Sequence, residues 1–295
     1  MKVSENMSIK KWLDKNTTSL EGKTVAISGS TGGLGRELCI HLAALGASLV
    51  LLDRNIVKSH KLADELRSTY KGILINHITV DMTDIDAVKS AADKLSLMPI
   101  DYLILNAGAY SIPRCRLSCG YDNVFTINFI SPYYLARRLL PLIRARAGKV
   151  IAVGSIAQNY SRIDEKDIDF SSRKMASLVY GNSKRYLTYS LFDLAKDGGI
   201  ALAHPGITLT GISNHFPKLV FALIKHPMKI IFMSPRRASL SVLSAIFIDC
   251  DAGEWIGPSF LDLWGMPRKK RLKTATKSEM KIIASQAEKI YFEME

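Results

Sequence analysis

The chain has 295 residues, of which 47% are hydrophobic and 23% are charged, and its formal net charge is +13. This composition is typical of a folded globular protein and excludes a disordered chain. The basic excess suits nucleic acid, an anionic membrane surface or phosphorylated ligands. No zinc-finger or RNA-binding signature accompanies it, so we expect no nucleic-acid partner and interpret the basic run at residues 268–273 as a solvated tail.

The cysteines and the apolar stretches indicate whether the chain binds a metal ion and where in the cell the protein is located. The four cysteines lack metal-ligand spacing, and residues 1–16 lack the apolar run of a signal peptide. The most apolar later stretch, residues 216–233, is broken by lysines and by Pro227. No stretch reaches the roughly 20 residues that a membrane span needs. We therefore expect reduced thiols, no metal site and a cytoplasmic location.

A short amphipathic helix is predicted near the N-terminus, because Ile9, Trp12 and Leu13 recur at helical spacing within residues 8–15. We expect this N-terminal flank, residues 1–20, to pack on the main domain as a flap rather than to anchor the chain in a membrane.

A glycine-rich turn follows the first predicted strand. Residues 23–28 form a buried-strand pattern that leads through Gly29, Gly33 and Gly35 into a helical pattern. Backbone amides at such a helix start point toward an anion, and the missing side chains let a pyrophosphate approach the backbone. We therefore predict dinucleotide binding, with a purely structural glycine turn as the alternative. The predicted binding residues are Gly29, Ser30, Thr31, Gly33, Leu34 and Gly35.

The second predicted strand, residues 48–53, ends in an acid about 20 residues after the glycine turn. Asp53 can accept hydrogen bonds from the adenosine ribose hydroxyls and would repel a 2′-phosphate, which favours NAD over NADP. Arg54 follows at once and could instead pair with such a phosphate. The alternative for Asp53 is a helix cap before residues 57–70.

The third predicted strand, residues 72–80, delivers Asp81 and Met82 to the same edge of the sheet. We assign both to the cofactor site, with Asp81 at the adenine edge. Thr83 or Asp84 is expected to cap the next helix.

A fourth strand, residues 101–105, runs into three small or polar residues, Asn106, Ala107 and Gly108. Their size would let a cofactor lie against the backbone, and an ordinary strand-end turn is the alternative. The following helix, roughly residues 121–146, carries Asn128 among apolar neighbours. A buried amide needs partners, so Asn128 is either a satisfied core residue or part of a polar network.

A candidate acid/base pair follows the fifth strand. Residues 149–154 end at Ser155, which places a hydroxyl where open α/β sheets bind ligands. After a polar insertion at residues 158–174, Tyr180 and Lys184 lie four residues apart on one helix face. A lysine cation, helped by an oxidised nicotinamide, can lower the pKa of the phenol toward neutrality.

The sixth predicted strand, residues 199–203, leads into His204, Pro205 and Gly206. With no second ligand in register, we interpret His204 as a structural residue rather than as a metal ligand or catalytic base.

Taken in order, these signals resemble the short-chain dehydrogenase/reductase family over about residues 22–265. The long interval between Ser155 and Tyr180 resembles the retinol dehydrogenase and protochlorophyllide reductase-like branch. The residues that carry the resemblance are Gly29, Gly33, Gly35, Asp53, Asp81, Asn106, Ala107, Gly108, Asn128, Ser155, Tyr180, Lys184, Pro205 and Gly206.

The resemblance implies a role for each polar residue. Tyr180 would be the acid/base, and Ser155 would orient and polarise the substrate carbonyl. Lys184 would hold the nicotinamide ribose and lower the pKa of Tyr180, while Asn128 would support a water-linked proton relay. Hydride would move directly between the nicotinamide ring and the substrate carbon.

Two further implications concern the cofactor. Thr210 would contact the carboxamide or the pyrophosphate, beside Pro205 and Gly206. NADP-preferring members often have a basic residue where this chain has Gly32, and the retinol-type branch often has no acid at the position of Asp53. Both departures favour NAD, with NADP as the alternative.

The predicted fold is one doubly wound α/β domain of the Rossmann type at residues 21–265, a parallel sheet of about seven strands with helices on both faces. A basic C-terminal extension, residues 266–295, should end in a helix. Family members often pair through the helices of Asn128 and Tyr180, which implies a homodimer or homotetramer. The apolar residues of the C-terminal helix are Met280, Ile283, Ala287 and Ile290.

The predicted function is interconversion of an alcohol and a carbonyl compound. Residues 212–232 stand where the family builds a substrate lid, and their apolar content indicates a bulky apolar substrate. The same segment is basic and amphipathic, so weak peripheral contact with an anionic membrane is an alternative use. A dinucleotide-binding redox sensor without turnover is the alternative function, although a sensor has no need of Ser155, Tyr180 and Lys184.

Overall fold

The computed structural model describes residues 2–208 and 232–295. Within this part of the chain, eight strands form one sheet in the order β3-β2-β1-β4-β5-β6-β7-β8. All neighbouring strands are parallel except β7 and β8, which are antiparallel. The strands are β1 Thr24–Ser28, β2 Ser48–Asp53, β3 Ile75–Thr79, β4 Tyr102–Leu105, β5 Lys149–Val153, β6 Ile200–Ala203, β7 Glu254–Phe260 and β8 Trp264–Arg271.

Helices cover both faces of the sheet. The crossover from β4 to β5 is one continuous helix, α5, with a π-helical turn in the middle. Two short 3₁₀ turns, Ile156–Asn159 and Ala195–Asp197, flank the next long helix. The helices are α1 Lys2–Asn16, α2 Gly33–Ala44, α3 Ile56–Thr69, α4 Ile85–Ser96, α5 (Asn123–Phe125, Thr126–Ile130 and Ser131–Ala145), α6 Ala176–Leu194, α7 Pro235–Phe247 and α8 Lys277–Met294.

The central strands form because their residues are apolar on both sides of the sheet. In β2, every residue after Ser48 is buried, as expected of a parallel strand covered on both faces. One hydrophobic core lies between the sheet and α4, α5, α6 and α8, and a second lies between the sheet and α1, α2, α3 and α7. The predicted doubly wound α/β fold is therefore confirmed.

The strand count exceeds the prediction by one because the basic run is not a tail. Residues 268–271 belong to β8, which pairs with β7 along the outer edge of the sheet. Lys269 lies 3.1 Å from a carboxylate oxygen of Glu254, and Lys270 lies 2.8 Å from one of Asp262. Charged side chains on an edge strand discourage pairing with another chain. The run is solvated, as expected, but it is ordered.

The C-terminal helix α8 packs across α5 and α6. Its apolar stripe of Ile283, Ala287 and Ile290 is buried in the first core. The resemblance to the family implies pairing of two copies through the helices of Asn128 and Tyr180. A dimer through the face that α8 covers would require α8 to move.

The N-terminal flank is a helix that packs on the body. Ile9 is buried in the second core, and Trp12 and Leu13 pack against it from the surface. None of the helices in the described residues is long and apolar enough to cross a bilayer. All but the last residue of the predicted lid, residues 212–232, lies outside the described part of the chain.

The packing of α8 gives a stability prediction. Ile283→Ala should lower the free energy of unfolding by about 2–5 kcal/mol, because Ile283 is fully buried and its truncation leaves a cavity. Phe292→Ala, on the same helix but 66% exposed, should change it by less than about 0.5 kcal/mol. Urea denaturation of both variants measures the difference. Equal losses would contradict the packing of this face of α8.

Candidate active site

The carboxyl ends of β1, β4, β5 and β6 lie side by side in the sheet. They deliver, in that order, the glycine-rich turn, the Asn106 loop, Ser155 and the Pro205–Gly206 turn. Ligands in open α/β sheets bind outside these strand ends. The fold therefore brings most of the predicted site residues to one edge.

The glycine-rich turn is built on backbone contacts that no side chain would allow. Gly29 has φ +69°, and a Cβ atom there would lie 2.9 Å from the Cα of Ala107. A Cβ atom on Gly35 would lie 2.2 Å from the carbonyl oxygen of Gly29. Helix α2 begins at Gly33 with Gly32 as its cap, which offers no side-chain acceptor to the first amides. These amides can therefore bind an anion.

The Asn106 loop is tied to the glycine turn by its own side chains. The Asn106 amide nitrogen donates to the carbonyl oxygens of Ser28 and Gly29, each at 3.0 Å. The Ser28 hydroxyl accepts the backbone N–H groups of Asn106 (3.1 Å) and Ala107 (3.0 Å). Sequence reasoning missed Ser28, whose only signal was a hydroxyl at the end of a buried strand. Asn106 thus fixes the spacing between the two strand ends.

The predicted ribose acid, Asp53, is buried and points back into the glycine turn. Its carboxylate accepts from the hydroxyl of Ser30, from the N–H and hydroxyl of Thr31 at 3.2 Å each, and from the hydroxyl of Ser59 at 3.1 Å. These four donors match the roughly four lone-pair directions of a carboxylate. Asp53 does not cap α3, because Asn55 takes that place and accepts from the N–H of Lys58.

The neighbouring loops place two charged residues at the outer end of this turn. Arg54 is 76% exposed, and its guanidinium lies 3.5 Å from a carboxylate oxygen of Asp81. Asp81 also accepts from the N–H (2.9 Å) and hydroxyl (2.8 Å) of Thr83. Asp84, one of the two candidates from the sequence, is the cap of α4. Met82 packs into the core, and its carbonyl accepts from Ser131.

Asn128 lies in the π-helical turn of α5 and is fully buried. Its amide oxygen accepts from the N–H of Ala109 at 3.0 Å, and its amide nitrogen donates to the carbonyl of Ala109 at 2.8 Å. The extra residue of a π-helical turn re-aims a side chain, and such turns are frequent at functional sites. Asn128 thereby pins the loop that begins at Asn106.

The three predicted reacting residues meet at the end of β5. Ser155 caps the Ile156–Asn159 turn by accepting from the N–H of Ala157 at 3.2 Å. The Ser155 hydroxyl lies close enough to the Tyr180 phenol to oppose the rise of its pKa. The Lys184 ammonium donates to the carbonyl of Val153 at 2.8 Å and lies 5.9 Å from the centre of the Tyr180 ring. A hydroxyl, a phenol and an ammonium therefore converge.

Burial moves the pKa values of this group in opposite directions. Burial raises the pKa of Tyr180, and the hydrogen bond with Ser155 opposes that rise. Burial also lowers the pKa of Lys184 to about 8. The sequence led us to expect a lowered pKa at Tyr180. The pKa of Tyr180 is instead raised, because desolvation of the phenol is the largest effect on it. Lys184 does not offset this effect, because its ammonium lies over the ring and donates to the carbonyl of Val153 instead of to the phenol oxygen.

A second phenol, Tyr110, packs edge-on against the Tyr180 ring, with ring centres 5.3 Å apart and planes at 90°. Its side chain is 40% exposed. Sequence reasoning missed Tyr110, although its place two residues after Gly108 was a signal. Tyr180 is held between this ring and the Lys184 cation.

The turn after β6 is compact, and part of the predicted site beyond it is not described. Gly206 has φ +81°, and a Cβ atom there would lie 2.7 Å from Met233 and 2.8 Å from the carbonyl of Leu263. Pro205 precedes it at the same sheet edge. Thr210 lies outside the described residues.

His204 is buried and stacks on Trp255, with ring centres 5.2 Å apart. Its Nε2 atom lies 3.0 Å from the carbonyl of Asp262. Burial lowers the pKa of His204 to about 4, so the ring is neutral near pH 7. These contacts fit the structural role expected for it. Across residues 2–208 and 232–295, no cluster of three His, Cys, Asp or Glu side chains could hold a metal ion.

The chain is similar to known proteins in sequence and in fold. The short chain dehydrogenase family model matches residues 23–167. Retinol dehydrogenase 12 of Mus musculus is 26% identical over 272 residues, covering 88% of this chain and 85% of that protein. A crystal structure of an uncharacterised protein from Mycobacterium paratuberculosis has a TM-score of 0.72 at 22% identity, covering 94% of this chain and 96% of that one. The NADPH-dependent 3-quinuclidinone reductase of Rhodotorula rubra has a TM-score of 0.60 at 21% identity, covering 78% of this chain and 86% of that one.

The glycine turn gives a prediction about binding. Gly35→Ala should abolish binding of the expected dinucleotide and lower the melting temperature, because its Cβ atom would collide with the Gly29 carbonyl. Gly32→Ala is the control, since its Cβ atom would lie 3.5 Å from the same oxygen. Nucleotide titration and thermal unfolding measure both effects. Undiminished binding by Gly35→Ala would show that the turn is not the pyrophosphate site.

Proposed function

We propose that the chain is an oxidoreductase of the short-chain dehydrogenase/reductase family, in its retinol dehydrogenase-like branch, and that Tyr180 is its acid/base. The reaction is hydride transfer between a nicotinamide dinucleotide and an alcohol or carbonyl compound. The observation that supports this assignment is the proximity of the Ser155 hydroxyl to the Tyr180 phenol, beside the buried ammonium of Lys184. A carbonyl oxygen bound next to both hydroxyls can take a proton from one and a hydrogen bond from the other.

In the direction of reduction, the Tyr180 hydroxyl donates its proton to the carbonyl oxygen of the substrate. Ser155 donates a hydrogen bond to the same oxygen and stabilises the negative charge that develops there. The bound cofactor supplies the hydride that adds to the carbonyl carbon. Because burial keeps the pKa of Tyr180 above its ordinary value, the phenol holds its proton near pH 7, which suits an acid in carbonyl reduction.

Lys184 acts on the cofactor side of Tyr180. One of its N–H groups is used by the carbonyl of Val153, and the others can bond the hydroxyls of the nicotinamide ribose. With a pKa of about 8, the side chain is mostly charged near pH 7. The lowering of the Tyr180 pKa that alcohol oxidation needs then depends on the positive charge of the oxidised nicotinamide added to that of Lys184.

Asn128 acts through the backbone. Because both ends of its amide bond Ala109, it holds the loop on which Gly108 and Tyr110 stand. The water-linked proton relay that the family implies would start from this side chain.

The cofactor is NAD or NADP, and the two neighbouring residues at the end of β2 decide between them. Asp53 favours NAD only if it can accept a ribose hydroxyl, yet four donors already fill its carboxylate. Arg54 is exposed and carries one ion pair, to Asp81. A 2′-phosphate beside Arg54 would add a charge-assisted contact. We therefore favour NADP over the NAD suggested by the sequence.

The substrate is a bulky apolar alcohol or ketone. Residues 212–232 are rich in large apolar side chains. On either side of this segment, Thr208 and Met233 pair in a parallel bridge. The Met233 side chain also lies against Gly206. Thr208 and Met233, the described residues on either side of this segment, therefore lie at the edge of the sheet where Tyr180 lies.

Turnover measurements test the acid/base role. We expect turnover of carbonyl compounds of graded apolarity with NADH or NADPH, rising with apolarity and absent in Tyr180→Phe. The kcat for reduction should persist above pH 8, because the pKa of Tyr180 is raised. The kcat/KM for the cofactor should fall through about pH 8 as Lys184 loses its charge. Cofactor binding without turnover would support a redox sensor and contradict the proposal.

The choice of cofactor is tested separately. Arg54→Ala should raise the KM for NADPH about tenfold, the loss expected for one hydrogen bond to a charged group, and leave the KM for NADH unchanged. Arg138→Ala is the control, because Arg138 is also an exposed arginine in an ion pair with an aspartate but lies on α5. If the wild type prefers NADH and Arg54→Ala does not change that preference, Arg54 does not select the cofactor, and Asp53 would be the residue that favours NAD.

A further inference from the structure

We propose that Arg185 and Glu279 are positioning residues for Ser155, so that the C-terminal segment is part of the active-site scaffold. The inference rests on the proposed function, because it concerns the same reacting group. The residues involved, which we call the Arg185 cluster, are Arg185, Glu279, Gln158 and Thr274.

Arg185 follows Lys184 on α6, and its side chain has no exposed surface. Its Nε atom donates to one carboxylate oxygen of Glu279 at 2.6 Å, and its Nη2 atom donates to the other at 2.7 Å. This is the two-pronged geometry that a guanidinium and a carboxylate form best. Glu279 lies in the first turn of α8. The pair therefore joins the helix of Tyr180 to the C-terminal helix.

The remaining donors of Arg185 bind the turn that follows Ser155. Its Nη1 atom donates to the backbone carbonyl of Gln158 at 2.8 Å and to the side-chain oxygen of Gln158 at 3.3 Å. Its Nη2 atom also donates to the carbonyl of Thr274 at 2.7 Å. These bonds and the pair with Glu279 occupy all five N–H groups of the guanidinium. The Thr274 hydroxyl closes the cluster by donating to the same Gln158 oxygen at 2.9 Å.

The turn cannot shift without moving Ser155. The N–H of Gln158 donates to the carbonyl of Ser155 at 3.2 Å, and the N–H of Ala157 donates to its hydroxyl at the same distance. On its other side the turn touches α6 directly, since a Cβ atom on Gly181 would lie 2.5 Å from the carbonyl of Ala157. Gly181 follows Tyr180. Anchoring Gln158 therefore sets the distance between the hydroxyls of Ser155 and Tyr180.

Stability alone is a weak reason for such a cluster. Removing two charges from water offsets much of their attraction, and buried ion pairs are often no better than apolar side chains of similar volume. The same helix already has a separate anchor that does not touch the site. Glu288 of α8 lies 3.2 Å from Arg137 and accepts from Tyr133, both on α5. A substitution of Glu288 is therefore a matched control, because it weakens the packing of α8 on the domain without touching the turn after Ser155.

The test compares Glu279→Gln with Glu288→Gln in the full chain, using steady-state carbonyl reduction. Glu279→Gln should lower kcat at least about tenfold, because small displacements of a reacting group have large effects on rate. The KM for the cofactor should not change, since the glycine turn is untouched. Glu288→Gln should leave kcat within about twofold of the wild-type value, as expected of a variant away from the reacting group.

The pH profile separates positioning from loosened packing. Ser155, Lys184 and Tyr110 face Tyr180 from β5, α6 and the Asn106 loop, and Ser155 supplies the hydrogen bond that opposes the rise of its pKa. If that bond lengthens, the pH profile of alcohol oxidation should move to higher pH in Glu279→Gln. It should not move in Glu288→Gln.

Glu279→Gln leaves a buried guanidinium without its carboxylate and is therefore paired with a second variant. In the double variant Arg185→Met with Glu279→Met, apolar side chains replace both charges, which protects folding. We expect it to fold, as measured by circular dichroism and thermal unfolding, and still to lose kcat at least about tenfold with the shifted profile. A folded double variant with wild-type kcat and pH profile would overturn the positioning role alone. Absence of turnover in the wild type would overturn the proposed function and the positioning role together.

Discussion

The close backbone approach between the ends of β1 and β4 is the constraint on which the rest of the site depends. Gly29 must lie within contact distance of Ala107, and Gly35 must lie against the carbonyl of Gly29. Only glycine fits either position. The Asn106 side chain and the Ser28 hydroxyl then lock the two ends together. Asn128 fixes the following residues of the same loop from α5, and that loop carries Tyr110 to the Tyr180 ring. The glycine-rich turn and Tyr180, the proposed acid/base, are thus linked through one connected set of backbone contacts.

Burial is the main cause of the pKa shifts of Tyr180 and Lys184. The protein's own contacts favour a protonated phenol at Tyr180 and make the ammonium of Lys184 easier to discharge. These pKa shifts suit the proton donation proposed for Tyr180, and under that proposal the reverse reaction needs the positive charge of the oxidised cofactor. This separation explains why a phenol beside a lysine in the sequence does not by itself imply a lowered pKa. The direction of the pKa shift depends on whether the lysine ammonium faces the phenol oxygen.

Local sequence patterns were sufficient to predict most of the fold and most members of the reacting group. The glycine spacing, the small residues after β4, and the Tyr180–Lys184 interval each reflect a requirement within a few residues, so each could be read from the sequence. The role of Asp53 could not, because its partners Ser30 and Ser59 are set by tertiary packing. The basic run of β8 looked like a tail because five of the six residues at 268–273 are basic and show no apolar alternation, although its partner β7 is the preceding strand. Arg185 and Glu279 are separated by 94 residues and leave no local signal.

The measurement that tests the account most directly follows the hydrogen itself. The protein is given cofactor deuterated at the transferring carbon of the nicotinamide ring, and the alcohol product is examined by mass spectrometry and NMR. The account predicts one deuterium on the carbinol carbon of the product formed by the wild type and no product from Tyr180→Phe. Product without the label, or labelled product formed undiminished by Tyr180→Phe, would contradict direct hydride transfer with Tyr180 as the acid.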